Sequence, residues 1–508
     1  MIRRFVVLVF LSRCFASGEV LPVASDRQLF FDDRLIDPAH TKAVHREYHS
    51  PSDIQRVMTP ERPSEALGFI FYASVIDDGG TLKLFHGSYD ADKKKHFSLA
   101  TSQDGIHFER PNLGLTEYQG NRANNILPVH AVEAGVFLDP HAQAEKRYRL
   151  LFTQNWPDPA TAGVYVASSP DGIHWVTGAN RVLPFAPDSQ HAGFWDQRIN
   201  KYVIYLRAWN SQRLRCVARA EVDDLENPWP LNASVPPFAI WGQDKVPTLS
   251  RELPVVMSPD GDDPENLQLY TSAAIPYPFA PNVYLAFPAA YHLFKGKEWK
   301  GRALNSNDGT FDVQLASSRD GIAWGRHRQP YIAAGYHDGL DLRLVSMAQG
   351  IVRRGRELYQ YFIGWPHTHG RPVVWDKDLA DRAEWLKQDL GGIYCATQRV
   401  DGFVSMSADD QDGVLTTRPL SFTGNRLLLN IHTAGIGGAR VALLGADMQP
   451  LPGYSIEDCD PISADEIDCE VRWKSVSDLT ALAGQTVRVQ ISLSHAEIFA
   501  LQFTSTPR

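Results

Sequence analysis

Five cysteines in a chain of 508 residues are too few to build a disulfide scaffold. None falls in a CxxC pair or an HxxxH spacing that would hold zinc. After residue 18 no run of 18 uninterrupted apolar residues occurs, so no membrane insertion is expected. Basic residues are in deficit. The 50 Lys and Arg face 59 Asp and Glu, for a net charge of -9, and they form no stripe. Nucleic acid needs clustered Lys and Arg to meet its phosphates, so no nucleic-acid partner is expected. No Gly-rich loop follows a strand pattern and no Gly-x-Ser-x-Gly elbow occurs, which removes nucleotide-dependent and serine-hydrolase chemistry.

What is present is ordinary in bulk and aromatic in detail. Hydrophobic residues make up 44% and charged residues 21%, and the length asks for at least two domains. The 12 Trp, 18 Tyr and 24 Phe suit strands and stacking on sugar rings. Arg3 and Arg4, the apolar run Phe5 to Leu11 and the small residues Ala16-Ser17-Gly18 read as an export signal over residues 1–18. Arg13 makes that signal imperfect. A secreted or periplasmic location follows as the expectation. There Cys459 and Cys469, close together in a polar segment, are expected to pair. Cys216 and Cys395 sit in apolar runs and are expected to be buried thiols.

One nine-residue pattern recurs. Ala100-Thr-Ser-Gln-Asp104-Gly-Ile-His-Phe108 returns as Ala167-Ser-Ser-Pro-Asp171-Gly-Ile-His-Trp175 and as Ala316-Ser-Ser-Arg-Asp320-Gly-Ile-Ala-Trp324. It reads as a strand, an Asp-Gly turn and a second strand. Degenerate copies start at Ala218 and Ala396, the latter ending in Asp401-Gly402-Phe403. Two further strand-like runs precede each copy from the second onward. Four strands per unit, five times, predict an all-β fold with a five-bladed β-propeller over residues 19–412. The repeat stops there. Runs at 427–430, 440–444, 469–473, 487–493 and 497–503 predict a C-terminal β-sandwich over residues 413–508.

The turn repeat with an appended sandwich resembles the invertase and arabinanase superfamily of glycosyl hydrolases, families 32 and 43. The segments Leu29-Phe-Phe-Asp-Asp33, Asn124-Asn-Ile126, Asp188-Ser-Gln190, Phe194-Trp-Asp196, Arg399 to Phe403 and Ala496-Glu-Ile-Phe499 resemble a group of secreted bacterial proteins within it. The resemblance implies a five-bladed propeller acting on carbohydrate, no required cofactor, and room for a structural calcium ion in the central tunnel. The Asn-Asp-Pro-Asn-Gly and Glu-Cys motifs of invertases are absent, so sucrose or fructan hydrolysis is not implied.

Glycosidic hydrolysis usually needs two carboxyl groups, one to protonate the leaving oxygen and one to attack or activate water. In a propeller they belong at the starts of the innermost strands. That rule selects Glu65, Glu133 and Asp188 as acid, base or nucleophile, and pKa-tuning groups, with the roles left open. Gln190, His191, Arg207, Tyr270, Tyr277, Asp341 and His369 are the expected substrate contacts, Arg207 by pairing with Asp188 or with a substrate carboxylate. His369, with His367, could instead help bind a metal. Asp77, Asp78, Asp139 and Asp196 read as turn formers, and Asp104, Asp171 and Asp320 as hairpin residues. The function expected is a glycoside hydrolase, exo-acting on furanosides or on decorated polysaccharide. The alternatives are a non-catalytic carbohydrate-binding propeller and a protein-interaction scaffold.

Overall fold

The computed structural model describes residues 19–505 apart from 156–157, 159–160, 185, 211–213, 230–252, 295–297, 300–301, 304–306, 371–387, 410 and 475–476. The expected export segment lies outside the described residues. Among those residues the regular structure is strand, with short 3-10 turns and no α-helix, and no helix is long and apolar enough to cross a membrane. The chain forms two compact units. One holds residues 50–277 and 283–400. The other gathers the chain up to His49, Pro278–Asn282 and Asp401–Arg508.

The first unit is a succession of antiparallel sheets. Phe69–Asp78, Thr81–Tyr89 and Lys95–Ser102 form the first. Val132–Leu138, Tyr148–Gln154, Gly163–Ser169 and Val176–Thr177 form the second. Ala192–Asp196, Lys201–Trp209, Arg215–Val222 and Val255–Met257 form the third. The remaining strands do not separate into two groups of four. A parallel bridge from Phe311 to Leu344 merges most of them into one eleven-stranded sheet, Glu298–Trp299 with Arg302–Ala303 and Gly335–His337 with Leu340–Leu342 stand apart as two-stranded pairs, and among the described residues no sheet closes on itself. Asp53–Met58, which precedes the first sheet, pairs with Gly392–Arg399 at the end of the last.

The five repeat copies fall on Lys95–Ser102, Gly163–Ser169, Arg215–Val222, Gly309–Ser318 and Gly392–Arg399. In the three full copies the turn is one device. The Ser102, Ser169 and Ser318 hydroxyls accept the N–H of Gly105, Gly172 and Gly321 at 2.8–2.9 Å. Asp104, Asp171 and Asp320 each accept two backbone N–H groups. Each turn also docks elsewhere. The Gly105 carbonyl accepts the Tyr361 hydroxyl at 2.8 Å, and the Gly321 carbonyl that of Tyr205 at 2.7 Å. Lys83 donates to the Asp171 carbonyl. Local turn chemistry thus ties each sheet to another.

The first strands of these sheets and the segments beside them meet through backbone and side-chain bonds. Val136 N–H donates to Ser74 Oγ at 3.0 Å, and Gln349 exchanges backbone bonds with Ala73 and Val75. The Gln349 amide donates to the Gly193 carbonyl, and the Gln190 amide to the Ala73 carbonyl. Gly135 is required at this meeting point, because a Cβ there would lie 1.8 Å from the His191 carbonyl oxygen.

The second unit is built on two antiparallel 19-residue strands, Arg426–Leu444 and Thr486–Thr504. Each absorbs two of the short strands expected from sequence. A register shift between Thr433 and Gly438 keeps the first continuous past its glycines. Leu427, Leu429, Val441, Val489, Ile491 and Phe503 fill the core. The N-terminal segment joins this unit. Leu21–Ala24 pairs in parallel with Leu420–Phe422, and His45–Tyr48 pairs with Val404–Ala408. The Arg27 guanidinium reaches Asp401, Asp468 and the Ile467 carbonyl. The expected pairing of Cys459 with Cys469 is not made, and both are free thiols. Cys459 is buried with its sulfur bonded to Val441 N–H and the Asp460 carbonyl, which leaves it satisfied without a bridge. Cys216 and Cys395 are buried free thiols as expected.

Candidate functional site

Glu133 and Asp188 stand at the starts of the inner strands of the second and third sheets. Both hold left-handed backbone, with φ of 57° and 55°. That conformation is uncommon for residues with a Cβ, and it clusters where the surrounding structure aims a side chain. The Glu133 side chain is half-buried, and its Oε2 has no hydrogen-bond partner. Burial, and then the charge of Asp188, push its carboxyl up to about 7. Lys95, the Thr153 hydroxyl and Arg207 work in the opposite sense and are outweighed. Asp188, with about a third of its side chain exposed, pairs with Arg207 Nη1 at 2.8 Å.

Arg207 comes from the middle strand of the third sheet, and its side chain is fully buried. It also donates to the Tyr270 carbonyl at 3.1 and 3.3 Å and lies 3.9 Å from the centre of that ring. The Tyr270 hydroxyl meets His369 Nε2 at 3.0 Å. His369 Nδ1 faces the Asn307 carbonyl at 3.0 Å, and the ring stacks near Phe71 and Phe311. Burial pushes His369 down to about 4, so near neutral pH it is an uncharged hydrogen-bonding group. Asp188, Arg207, Tyr270 and His369 thus form one connected set, with Glu133 electrostatically close to Asp188 and about a third of the Asp188 side chain exposed.

The remaining sequence-selected residues divide. Gln190 and His191 lie directly beneath, but both are buried. Gln190 holds inner-strand carbonyls, and His191 Nε2 faces the Thr153 hydroxyl at 3.1 Å. Tyr277 is fully buried, with its N–H on the Val283 carbonyl. Asp341 lies on an exposed hairpin paired with Arg343. Glu65 belongs to a separate cluster. Its carboxylate accepts Arg110 Nε and Nη2 at 2.9 and 3.0 Å and the N–H groups of Glu61 and Arg62. Burial works to raise its pKa, but Arg110, His86 and these bonds hold it below the usual range.

Sequence reasoning missed Arg215, Tyr72 and Tyr89. Glu133 and Asp188 act electrostatically on both tyrosines, whose hydroxyls burial pushes well above their usual value. Arg215 sits on the strand next to Arg207. The register sets Trp209 opposite Arg215 and Arg207 opposite Val217, so both guanidinium groups leave the same face. A charged residue opening the apolar run Cys216-Val217-Ala218 was the available signal.

For a calcium ion at the inner strands, the orphaned oxygens are Gln190 Oε1, Gln349 Oε1 and Ser346 Oγ. These three are neutral and suit ordered water; the carboxylate oxygen without a partner at these strands is Glu133 Oε2, at the start of its strand. Among the described residues, the set of His, Cys, Asp or Glu groups close enough to share an ion is Glu47, His49 and Glu497 in the second unit, with ligand atoms within 4.8 Å of one another.

No family model matches the chain, and no curated protein matches it. Similar solved structures include a glycoside hydrolase at 12% identity and TM-score 0.43, covering 69% of this chain and 92% of that one. A glycosyl hydrolase from Bacteroides ovatus aligns at 14% and 0.39, covering 69% and 93%. An N-acetylgalactosamine deacetylase from F. plautii, in complex with blood group B trisaccharide, aligns at 13% and 0.38, covering 76% and 97%. Such distant likeness does not fix an activity.

Proposed function

We propose that the chain is an exported glycoside hydrolase whose catalytic pair is Glu133 and Asp188, carried by inner strands of a five-bladed propeller with an appended sandwich. The observation that carries this reading is the meeting of two carboxyl groups at neighbouring strand starts, where burial and the Asp188 charge raise Glu133 to about 7. A carboxyl that keeps its proton near neutrality suits the acid role. Glu133, held protonated, donates to the leaving oxygen. Asp188, oriented by Arg207, serves as nucleophile or base. Tyr270 and His369 hold sugar hydroxyls, and aromatic rings offer apolar faces to the sugar. Glu65, engaged by four donors in its own cluster, is left outside the pair. The reaction requires no cofactor. The substrate class is an exo-cleaved furanoside or a decorated polysaccharide.

The test is hydrolysis of aryl furanosides, aryl pyranosides and plant or algal polysaccharides by the wild type, Glu133→Gln and Asp188→Asn. Turnover that falls more than about 10²-fold in either folded variant supports the pair. Sugar binding with no wild-type turnover would replace this reading with a carbohydrate-binding propeller.

A further inference from the structure

Arg207 and Arg215 share one face of the third sheet, yet only Arg207 has a carboxylate partner. Arg215 is 8% exposed, and its two side-chain bonds go to neutral carboxamides, Gln268 Oε1 at 2.7 Å and Asn307 Oδ1 at 2.8 Å. Its Nε is buried with no hydrogen-bond partner, and among the described residues no acid pairs with it. Its guanidinium carbon lies 5.5 Å from the ring centres of both Tyr270 and Tyr291, which hold it in place without neutralising it. Asp308, buried near His369 and Tyr291, turns its Oδ1 to the N–H groups of Gly309 and Gly370 instead. Burial and then Arg207 act against the charge of Arg215; Tyr270, Tyr291 and the more distant Asp188, whose ion pair is with Arg207, act for it and are outweighed, and a guanidinium keeps its charge regardless.

A buried cation without an anion in contact is costly unless a ligand supplies one. From this geometry we infer that the site takes a sugar bearing an anionic substituent, a uronate carboxylate or a sulfate ester, and that Arg215 binds it. The inference rests on the carbohydrate reading above and narrows it. Asp188 already occupies Arg207, so the second guanidinium is the one left for the ligand. The Arg215 Nε–H is the donor left without a partner, and a guanidinium suits the oxygens of a carboxylate or sulfate.

The test is calorimetric titration of the full chain with paired sugars that differ only in the substituent: uronides against the neutral glycosides, and a 6-sulfated sugar against its parent. Inorganic sulfate and inorganic phosphate are titrated separately. The expected result is binding of the anionic member at least ~10-fold tighter. That preference should disappear in Arg215→Gln and return in part in Arg215→Lys. Equal affinity for charged and neutral sugars overturns the inference and leaves the carbohydrate reading standing. Binding of inorganic sulfate or phosphate without discrimination among sugars also overturns it, since the anion is then a free one. Failure to bind any sugar removes both. Should Arg215→Gln fail to fold, the wild-type ratio alone decides.

Discussion

At the scale of single residues, the site is a problem in placing charge. Glu133 has a folded-state pKa raised from 4.5 to about 7, chiefly by burial and then by Asp188. Between those values the folded chain keeps a proton that the unfolded chain has lost. The carboxyl therefore favours unfolding increasingly as pH rises through that window. Glu133→Gln removes this dependence. Relative to wild type, the variant should gain thermal stability from pH 4 to pH 8, read as a rising difference in melting temperature. Its activity, by contrast, should fall more than about 10²-fold. The wild-type rate should decline as pH rises above about 7, where the acid loses its proton. A profile flat across pH 6–8 would take Glu133 out of the acid role. Glu133 and Asp188 could be named as candidates because strand starts can be found from local pattern. The Asp188–Arg207 pair and the effect of Asp188 on Glu133 depend on how strands and sheets meet. Asp341 satisfied the same strand-start pattern and Tyr277 was named for its ring, and only packing reveals that Asp341 lies on an exposed hairpin and Tyr277 is sealed in.

At the scale of elements, the turn repeat is legible for a physical reason. A Ser hydroxyl, an Asp carboxylate and a Gly in left-handed backbone must follow one another at fixed spacing to cap the turn. The same turn must then approach another sheet, which the sequence does not state. A Cβ on Gly172 would lie 2.9 Å from Phe85, and one on Gly321 would lie 2.2 Å from Arg219 Nη1. Both glycines also have φ above 70°. Gly172→Ala should therefore cost about 2–4 kcal/mol, combining backbone strain with overpacking. Gly80, with φ of 96° but open space around it, separates the two contributions. Gly80→Ala should cost only about 1 kcal/mol. Urea denaturation of both variants measures the difference. Equal losses would mean that the docking of the turn contributes nothing beyond its backbone. The merging of the last two groups of strands was invisible in sequence, because one parallel bridge between Phe311 and Leu344 makes it.

At the scale of the whole molecule, the first described residues are tied to the last hundred. Nothing in the local sequence around Arg27 announces this, because its partners are Asp401 and Asp468, hundreds of positions away. Asp401, read from sequence as the Asp of a degenerate repeat turn, is fully buried with φ of 62° and accepts Arg27 and the Asn430 amide. The exposed Asp468 contributes little by comparison. Replacing Arg27 by Met would leave the Asp401 charge buried without its guanidinium partner. Such a loss costs about 3–5 kcal/mol, because the surviving charge keeps its desolvation penalty. The two compact units need not unfold together. The loss should therefore appear as a lowered first transition in calorimetry, with any second transition unmoved. Arg27→Met combined with Asp401→Asn removes the orphaned charge while keeping a side chain that tolerates left-handed backbone, and should recover part of the loss. A single variant costing under about 1 kcal/mol would show that strand pairing, and not the buried ion pair, fastens the N-terminal segment to its unit.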